Sequence, residues 1–191
     1  MESVNADVTS LQKHATPLQK HAAFFDKNND GIIYPEETYK GLRAIGCGVA
    51  LSFIGAIFIN LSLALPTKPA DVKLPSLRFP IYIANIKKGK HGSDTDAYDD
   101  EGRFVNSKFE DIWKKHALTK HNALTSSELN EMLKKNRQLY DVGGWIGSWV
   151  EWRILYMLAK DKNGFLQKET ARGVYDGSLF TKLENDRKHL H

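Results

Sequence analysis

The chain sets short amphipathic stretches around one uninterrupted apolar run. Leu18, His21, Ala22 and Phe25 recur at helical spacing, and so do Leu42 and Ile45 further on. From Ala44 to Leu65 there are 22 residues with no charged side chain, and only Ser52, Asn60 and Ser62 are strongly polar. As one helix this run would extend about 33 Å, enough to cross a bilayer core. Gly46, Gly48 and Gly55 weaken such a helix. Four of the six prolines follow within fifteen residues: Pro66, Pro69, Pro75 and Pro80. Prolines lack a backbone donor and break helices. The pattern therefore predicts a segment that enters an apolar phase and turns back, a monotopic anchor rather than a span. The competing reading is a buried core helix. Beyond it, Phe109–His116 reads as the start of a helix. Trp145, Trp149, Trp152 and Tyr156 form a stripe at helical spacing, which suits a core, the wall of a flat apolar pocket, or a lipid interface.

Composition sharpens this picture in three ways. At 191 residues the chain suits one or two small domains, and 41% hydrophobic with 26% charged residues excludes wholesale disorder. Its mean hydropathy of -0.44 reads as soluble, which the apolar run contradicts. The single cysteine, Cys47, excludes a disulfide scaffold and a cysteine-based zinc site within one chain, and suits a reducing compartment. The first 21 residues hold no apolar run, so no secretory signal is expected and membrane insertion would use the internal segment. The net charge of +4 is local: Pro66–Lys90 carries six basic residues and one acid, Asp71, or +5. A basic arm beside an apolar segment suits an anionic lipid surface. With no zinc finger, RNP or basic-zipper pattern, nucleic acid is not an expected partner.

Asp26-Lys-Asn-Asn-Asp-Gly-Ile-Ile-Tyr-Pro-Glu-Glu37 fits the twelve-residue EF-hand calcium loop. Asp26, Asn28 and Asp30 take positions 1, 3 and 5. Gly31 permits the sharp turn at position 6, and Ile32 offers its carbonyl at position 7. Tyr34 leaves position 9 to water, and Glu37 closes the shell with two oxygens at position 12. Ile33, at position 8, is expected in a short strand paired with a second hand. Two weak partner hands lie at Ala117–Glu128 and Ala159–Thr170. Neither has enough carboxylates, so both read as structural hands. The exit of the first, Thr125-Ser-Ser-Glu128, is also a helix capping box.

The acidic segment Asp94, Asp96, Asp99 matches no ion-loop spacing and reads as a solvated loop. Of the seven histidines, His21 lies on the inner face of the first helix and His91 precedes a glycine in a loop; the others are His14, His116, His121, His189 and His191. A lone inward histidine is more often a core residue than a ligand. No zincin, phosphate-loop, serine-hydrolase or Cys/His pattern is present.

The order of features goes further. LQKHAAFFDKNNDGIIYPEETYKGLRAIGCG, an apolar stretch, a proline cluster, IYIANIKKGKHGSDTDAYDDEGRF and KDKNGFL…YDGSLF together resemble the caleosins, the lipid-droplet calcium proteins also called plant peroxygenases. The resemblance covers about Leu18 to Leu183. It implies haem b and the transfer of oxygen from a fatty-acid hydroperoxide to an unsaturated lipid, a sulfide or a similar acceptor. It also implies oxylipin metabolism and stress response, with residence at lipid droplets or the endoplasmic reticulum and most of the chain facing the cytosol. The two histidines that the family ties to haem correspond to His21 and His91. The proline cluster matches the family's proline knot with looser spacing, and the cysteine often found near the family's C-terminus is absent. A peroxygenase needs one open iron position for the hydroperoxide, so His21 is read as the axial ligand. His91 is read either as a distal acid/base or as a displaceable sixth ligand. Because the calcium loop starts five residues after His21, calcium-dependent activity is expected. The competing function is a non-enzymatic, calcium-dependent lipid-droplet structural or tethering protein. The expected fold is mainly α, with EF-hand-type units around an internal monotopic anchor. Its three parts are a hand at 1–43, the anchor and proline knot at 44–80, and a helical region at 81–191. A homo-oligomer is left open.

Overall fold

A computed structural model of the chain describes residues 14–73 and 76–189; Pro75 of the proline cluster, His191 and the first thirteen residues lie outside them. The order of elements is α1 (Pro17–Ala23), β1 (Ile32–Ile33), α2 (Pro35–Ile45), α3 (Val49–Thr67), β2 (Ile81–Tyr82), a 3₁₀ helix (Ile83–Gly89), α4 (Asn106–His116), β3 (Ala123–Leu124), α5 (Ser126–Lys135), α6 (Val142–Ala159), β4 (Leu166–Gln167), α7 (Lys168–Tyr175) and α8 (Ser178–Lys188). The fold is mainly helical, as expected.

Local chemistry sets the boundaries. Thr16 and Gln19 cap α1 reciprocally, with Pro17 in the first turn where a missing N–H costs nothing. Gly46 ends α2 at φ 115°, a left-handed conformation that suits glycine, and its N–H reaches back to Leu42 and Arg43 carbonyls. This corrects the expected single 22-residue helix: Ala44 and Ile45 finish α2, and the apolar helix starts anew after Gly48. It then runs through Pro66 to Thr67, because a proline in the last turn removes only one hydrogen bond. The capping box at Thr125 and Glu128 starts α5 as the sequence predicts.

Helix α3 is inverted relative to a soluble amphipathic helix. Its buried face carries Ser52, Gly55, Ala56, Asn60 and Thr67, whereas Phe53, Ile54 and Leu65 are each more than 60% exposed. The buried small residues let α2 approach closely; a Cβ on Gly55 would stand 3.0 Å from Leu42. Asn60 is fully buried and joins three elements. Its carbonyl accepts from Thr38 Oγ1 at 2.7 Å, and its amide donates to the Ile33 and Phe79 carbonyls at 3.0 and 2.9 Å. The core-helix reading therefore fails: the apolar side faces outward.

The loops pair in two sets. Leu124 stands opposite Leu166, so the two weak hands pair with each other through position 8. The first hand does not join them. Ile33 pairs with Ile81, just beyond the proline cluster. This corrects the expected pairing with a second recognisable hand. Backbone shape explains it: Phe79 is left-handed at φ 48°, two residues before Ile81. Gly31, Asn122 and Gly164 hold the same offset before Ile33, Leu124 and Leu166, at φ 83°, 59° and 79°. Residues around Phe79 thus reproduce the turn-and-strand half of an EF-hand without its carboxylates. Consecutive pairing also brings α3 and the 3₁₀ helix onto the first hand.

Three apolar clusters fill the interior. One centres on Phe109, Trp113, Leu129 and Trp152. A second joins Ala22, Ile33, Ile81 and Ile86. The third joins Leu42, Ile45, Cys47 and Phe180. The tryptophan stripe divides, with Trp152 and Tyr156 in the core and Trp149 about half exposed beside Val142, Ile146 and Met157.

Candidate functional site

His21 and His91, 70 residues apart in sequence, line one cavity of about 280 Å³. That is close to the smallest usual ligand pockets, about 300 Å³. The cavity lies where α1, α3, α6 and the α7–α8 corner meet. Its apolar wall includes Ile59, Leu63, Leu155 and Phe180. Lys90 and His91 also line a shallower hollow of about 470 Å³ with Lys87, Lys88 and Asp96, so the polar loop forms a shared rim.

Helix α1 presents His21 beside α7. Its Nδ1 stands 2.9 Å from the Val174 carbonyl. A carbonyl only accepts, so Nδ1 carries the proton and Nε2 keeps its lone pair in the neutral ring. Burial lowers the imidazole pKa and outweighs the Val174 bond, so the ring is neutral. Phe180 packs edge-on at 4.9 Å between centroids. Gly177, at φ 79°, closes behind: a Cβ there would stand 3.1 Å from the Lys20 carbonyl. A neutral histidine fixed through Nδ1–H to a backbone carbonyl has the donor arrangement of a metal ligand.

His91 is held differently. Asp141 caps α6 by accepting from the Gly144 N–H at 3.0 Å, and also accepts from Ser93 N and Oγ at 2.7 and 2.6 Å. Ser148 Oγ donates to the Ser93 carbonyl at 2.9 Å. These bonds tie the GKHGSD loop to α6. His91 Nδ1 is buried without a hydrogen bond, 3.7 Å from Asp141 Oδ2. A small ring rotation would complete that pair. His91 Nε2 lies 3.6 Å from where a Gly147 Cβ would stand, ordinary van der Waals contact, so the ring packs against α6 at Gly147.

Two carboxyls also line the cavity, Asp94 and Glu151. Burial raises the Asp94 carboxyl above its usual range. Burial, with Asp94 adding repulsion, pushes Glu151 up to about 7. By surface area Glu151 is exposed where it lines the cavity, so solvent screens its carboxyl and only the upward direction, from the protein packed around it and from Asp94, carries weight. Sequence reading missed it, although a signal existed: Glu151 is the lone carboxylate of an otherwise apolar WIGSWVEWRILYML. Asp141 and Ser93 carried no such signal, because their role depends on a contact across 48 residues.

The calcium-loop residues stand between α1 and α2. Asp26 and Glu37 are buried. Asp26 accepts from Gly31 N and Asp30 N at 2.9 and 3.2 Å. Glu37 accepts from Lys27 N and Tyr34 N at 3.1 and 3.0 Å, and Ile32 N donates to Asp30 at 2.8 Å. Asn28 donates to Asp30 at 2.8 Å. Burial raises the Asp26 carboxyl despite its backbone bonds, and the nearby charges of Asp30 and Glu37 add to the rise. A divalent cation would relieve that repulsion. Among the described residues, no three His, Cys, Asp or Glu side chains stand at metal-holding spacing. The acidic loop is a structural turn: Asp96 and Asp100 pair with Lys90, and Asp99 with Arg103. Ala117–Glu128 is closed by Glu128 itself, which accepts from Leu118, Thr119 and Thr125 N–H groups at 2.6–2.8 Å.

Comparison with known proteins agrees over nearly the whole chain. The caleosin family model, described as caleosin related protein, matches residues 13–184. The probable peroxygenase 4 of Arabidopsis thaliana is 51% identical over 177 residues, 93% of this chain and 86% of the relative. A peroxygenase of Lilium longiflorum is 55% identical over 166 residues, 87% and 69% of the two chains. A probable inactive peroxygenase-like protein of Arabidopsis thaliana is 44% identical over 155 residues, 80% and 72% of the two. No solved structure matches. With the family model spanning both cavity histidines and the acidic loop between them, the chain belongs to the caleosin family, as an enzyme of the plant peroxygenase type.

Proposed function

We propose that the chain is a calcium-binding, haem-dependent peroxygenase. It would take oxygen from a fatty-acid hydroperoxide and deliver it to an unsaturated lipid or sulfide, at the surface of a lipid droplet or the endoplasmic reticulum. The observation that carries this reading is the meeting of His21 and His91 at one largely apolar cavity, with His21 neutral and its Nδ1 committed to Val174.

The residues fit haem b on their chemistry. His21, its ring oriented by Val174, would hold the haem iron through Nε2. Bound there, the haem iron supplies the two-electron chemistry that the side chains lack. The chain's own residues do the rest. His91, set beside Asp141 by the Ser93–Asp141 network, would hydrogen-bond the hydroperoxide. Ile59, Leu63 and Leu155 take the alkyl chain and exclude water. Asp26, Asn28, Asp30, the Ile32 carbonyl and Glu37 would hold calcium in the loop that follows α1, which carries His21. The outward face of α3, with Phe53, Ile54 and Leu65, enters the lipid and turns back at the proline cluster.

Purified protein is expected to show a Soret band. His21→Ala is expected to lose it with an unchanged far-ultraviolet spectrum. Full haem and full activity in His21→Ala would sink the assignment. Flotation with lipid droplets should depend on residues 44–80.

A further inference from the structure

We propose that Glu151 is a further catalytic residue, the carboxyl that carries the proton between the two oxygens of a hydroperoxide held in the cavity. The inference rests on the peroxygenase reading and names the residue that handles its proton.

The geometry comes from α6. The His91 ring packs against α6 at Gly147, its Nε2 3.6 Å from the position of a Gly147 Cβ. Glu151 is one turn further along, and Cβ positions four residues apart on a helix are about 5–6 Å from each other. His91 and Glu151 therefore share one stretch of cavity wall. Arg153, the one basic residue of α6, donates to Ser126 Oγ at 2.6 Å on the side of α5. The groups that face Glu151 are Asp94, Tyr98 and Tyr175, with His91 and Lys90 at the rim and His21 in the same cavity. Tyr98 donates its hydroxyl to the Tyr175 carbonyl at 2.9 Å. Burial raises both tyrosines well above their ordinary range, so neither is a base at neutral pH. Burial lowers His21, and its Nδ1 is committed to Val174. Asp94 and Glu151 repel, and two carboxyls in one cavity cannot both ionise freely. Glu151 stands one turn from the His91 contact at Gly147 on the same cavity wall, and its carboxyl is raised, which suits a group that takes a proton and returns it.

The chemistry balances without any other reagent. A hydroperoxide ROOH has its proton on the terminal oxygen, while the departing oxygen is the one bonded to carbon. Glu151 accepts the terminal proton and returns it to the departing oxygen as the O–O bond breaks, so an alcohol leaves rather than an alkoxide. The terminal oxygen forms its new bond to the acceptor. The peroxide is reduced by two electrons, the acceptor is oxidised by two, and no proton is gained or lost overall.

The test uses the full chain with cumene hydroperoxide as donor and methyl phenyl sulfide as acceptor. Glu151→Gln keeps the shape and loses the exchangeable proton. Its expected kcat is at least about 100-fold lower, with the Soret band unchanged and KM for the hydroperoxide within about threefold. In protein without haem, infrared titration should show a carboxyl band that changes near pH 7 in the wild type and is absent in Glu151→Gln. The wild-type kcat profile should break within one pH unit of that band, a comparison that needs no variant to fold. Glu151→Gln with kcat within threefold of wild type, or a band and a kcat break more than one pH unit apart, overturns the proposal alone. A wild type that binds haem and transfers no oxygen overturns the peroxygenase reading together with it.

Discussion

Replacing Asn60 by leucine separates two views of the apolar helix. If α3 were only a greasy segment, leucine would improve it. In this fold Asn60 is fully buried and makes three hydrogen bonds, to Thr38, Ile33 and Phe79. Leucine removes all three and strands buried partners. The Thr38 hydroxyl has a fallback in the Tyr34 carbonyl at 3.4 Å, but the Ile33 and Phe79 carbonyls lose the Asn60 amide. Stranding a buried polar group costs about 1–3 kcal/mol, so two carbonyls cost about 2–6 kcal/mol. Burying the leucine returns about 2 kcal/mol. The net destabilisation is about 0–4 kcal/mol with a midpoint near 2 kcal/mol, which is roughly 4–8 °C in Tm for a chain of this size. The assay is thermal unfolding by circular dichroism in mild detergent, with Leu61→Ala on the exposed face as control. Leu61 is half exposed, so the control should move Tm little. Calcium affinity should fall with Asn60→Leu as well, because Ile33 belongs to the calcium loop. A Tm for Asn60→Leu equal to or above wild type would refute the reasoning, because the buried face of α3 would then contribute no specific bonds.

Other outcomes follow from the same geometry. Glu128→Gln should destabilise in a pH-dependent way: burial alone would raise this carboxyl, yet bonds from Thr125 and Thr119 bring it down to about 2. The gap from the ordinary 4.5 corresponds to about 3 kcal/mol, which solvent access cuts to about 1–2 kcal/mol. Folding depresses this pKa, so the stabilisation is complete above about pH 4.5 and is lost as pH falls toward 2. Urea titrations should show a wild-type advantage at pH 7 that has fallen by about half or more at pH 3; an equal gap at both values contradicts it. Gly177→Ala should cost at least about 1–2 kcal/mol, from the left-handed backbone and a Cβ 3.1 Å from the Lys20 carbonyl, and should weaken haem retention beside His21. Unchanged urea stability would show that the corner does not hold α1. Glu37→Gln should weaken calcium binding by at least about tenfold, or 1.4 kcal/mol, in calorimetry, while Glu128→Gln leaves a stoichiometry of one. A second calcium equivalent lost with Glu128→Gln would mean that its loop is a working hand.

Much was legible along the chain because it depends on near neighbours. The loop after α1 with its turn at Gly31, the capping box at Thr125 and the helix stop at Gly46 are set within a few residues. The family was legible for the same reason, since its blocks lie in a fixed order. What the apolar run does was only half legible. Its length and lack of charge mark it out, but periodicity does not say which side faces inward. The helix buries its small and polar residues because α2 needs a close approach and because Asn60 satisfies carbonyls on two other segments. The first hand's partner was hidden as well. The segment around Phe79 keeps the turn and the strand but none of the carboxylates by which a hand is recognised. The site itself belongs to tertiary structure. His21, His91 and Glu151 come from three segments, and only the packing of α1, α6 and α7 puts them around one cavity. A carboxyl's proton affinity depends on what surrounds it. In the sequence Glu151 is only a lone acid among tryptophans; its place on the cavity wall beside Asp94 raises its carboxyl.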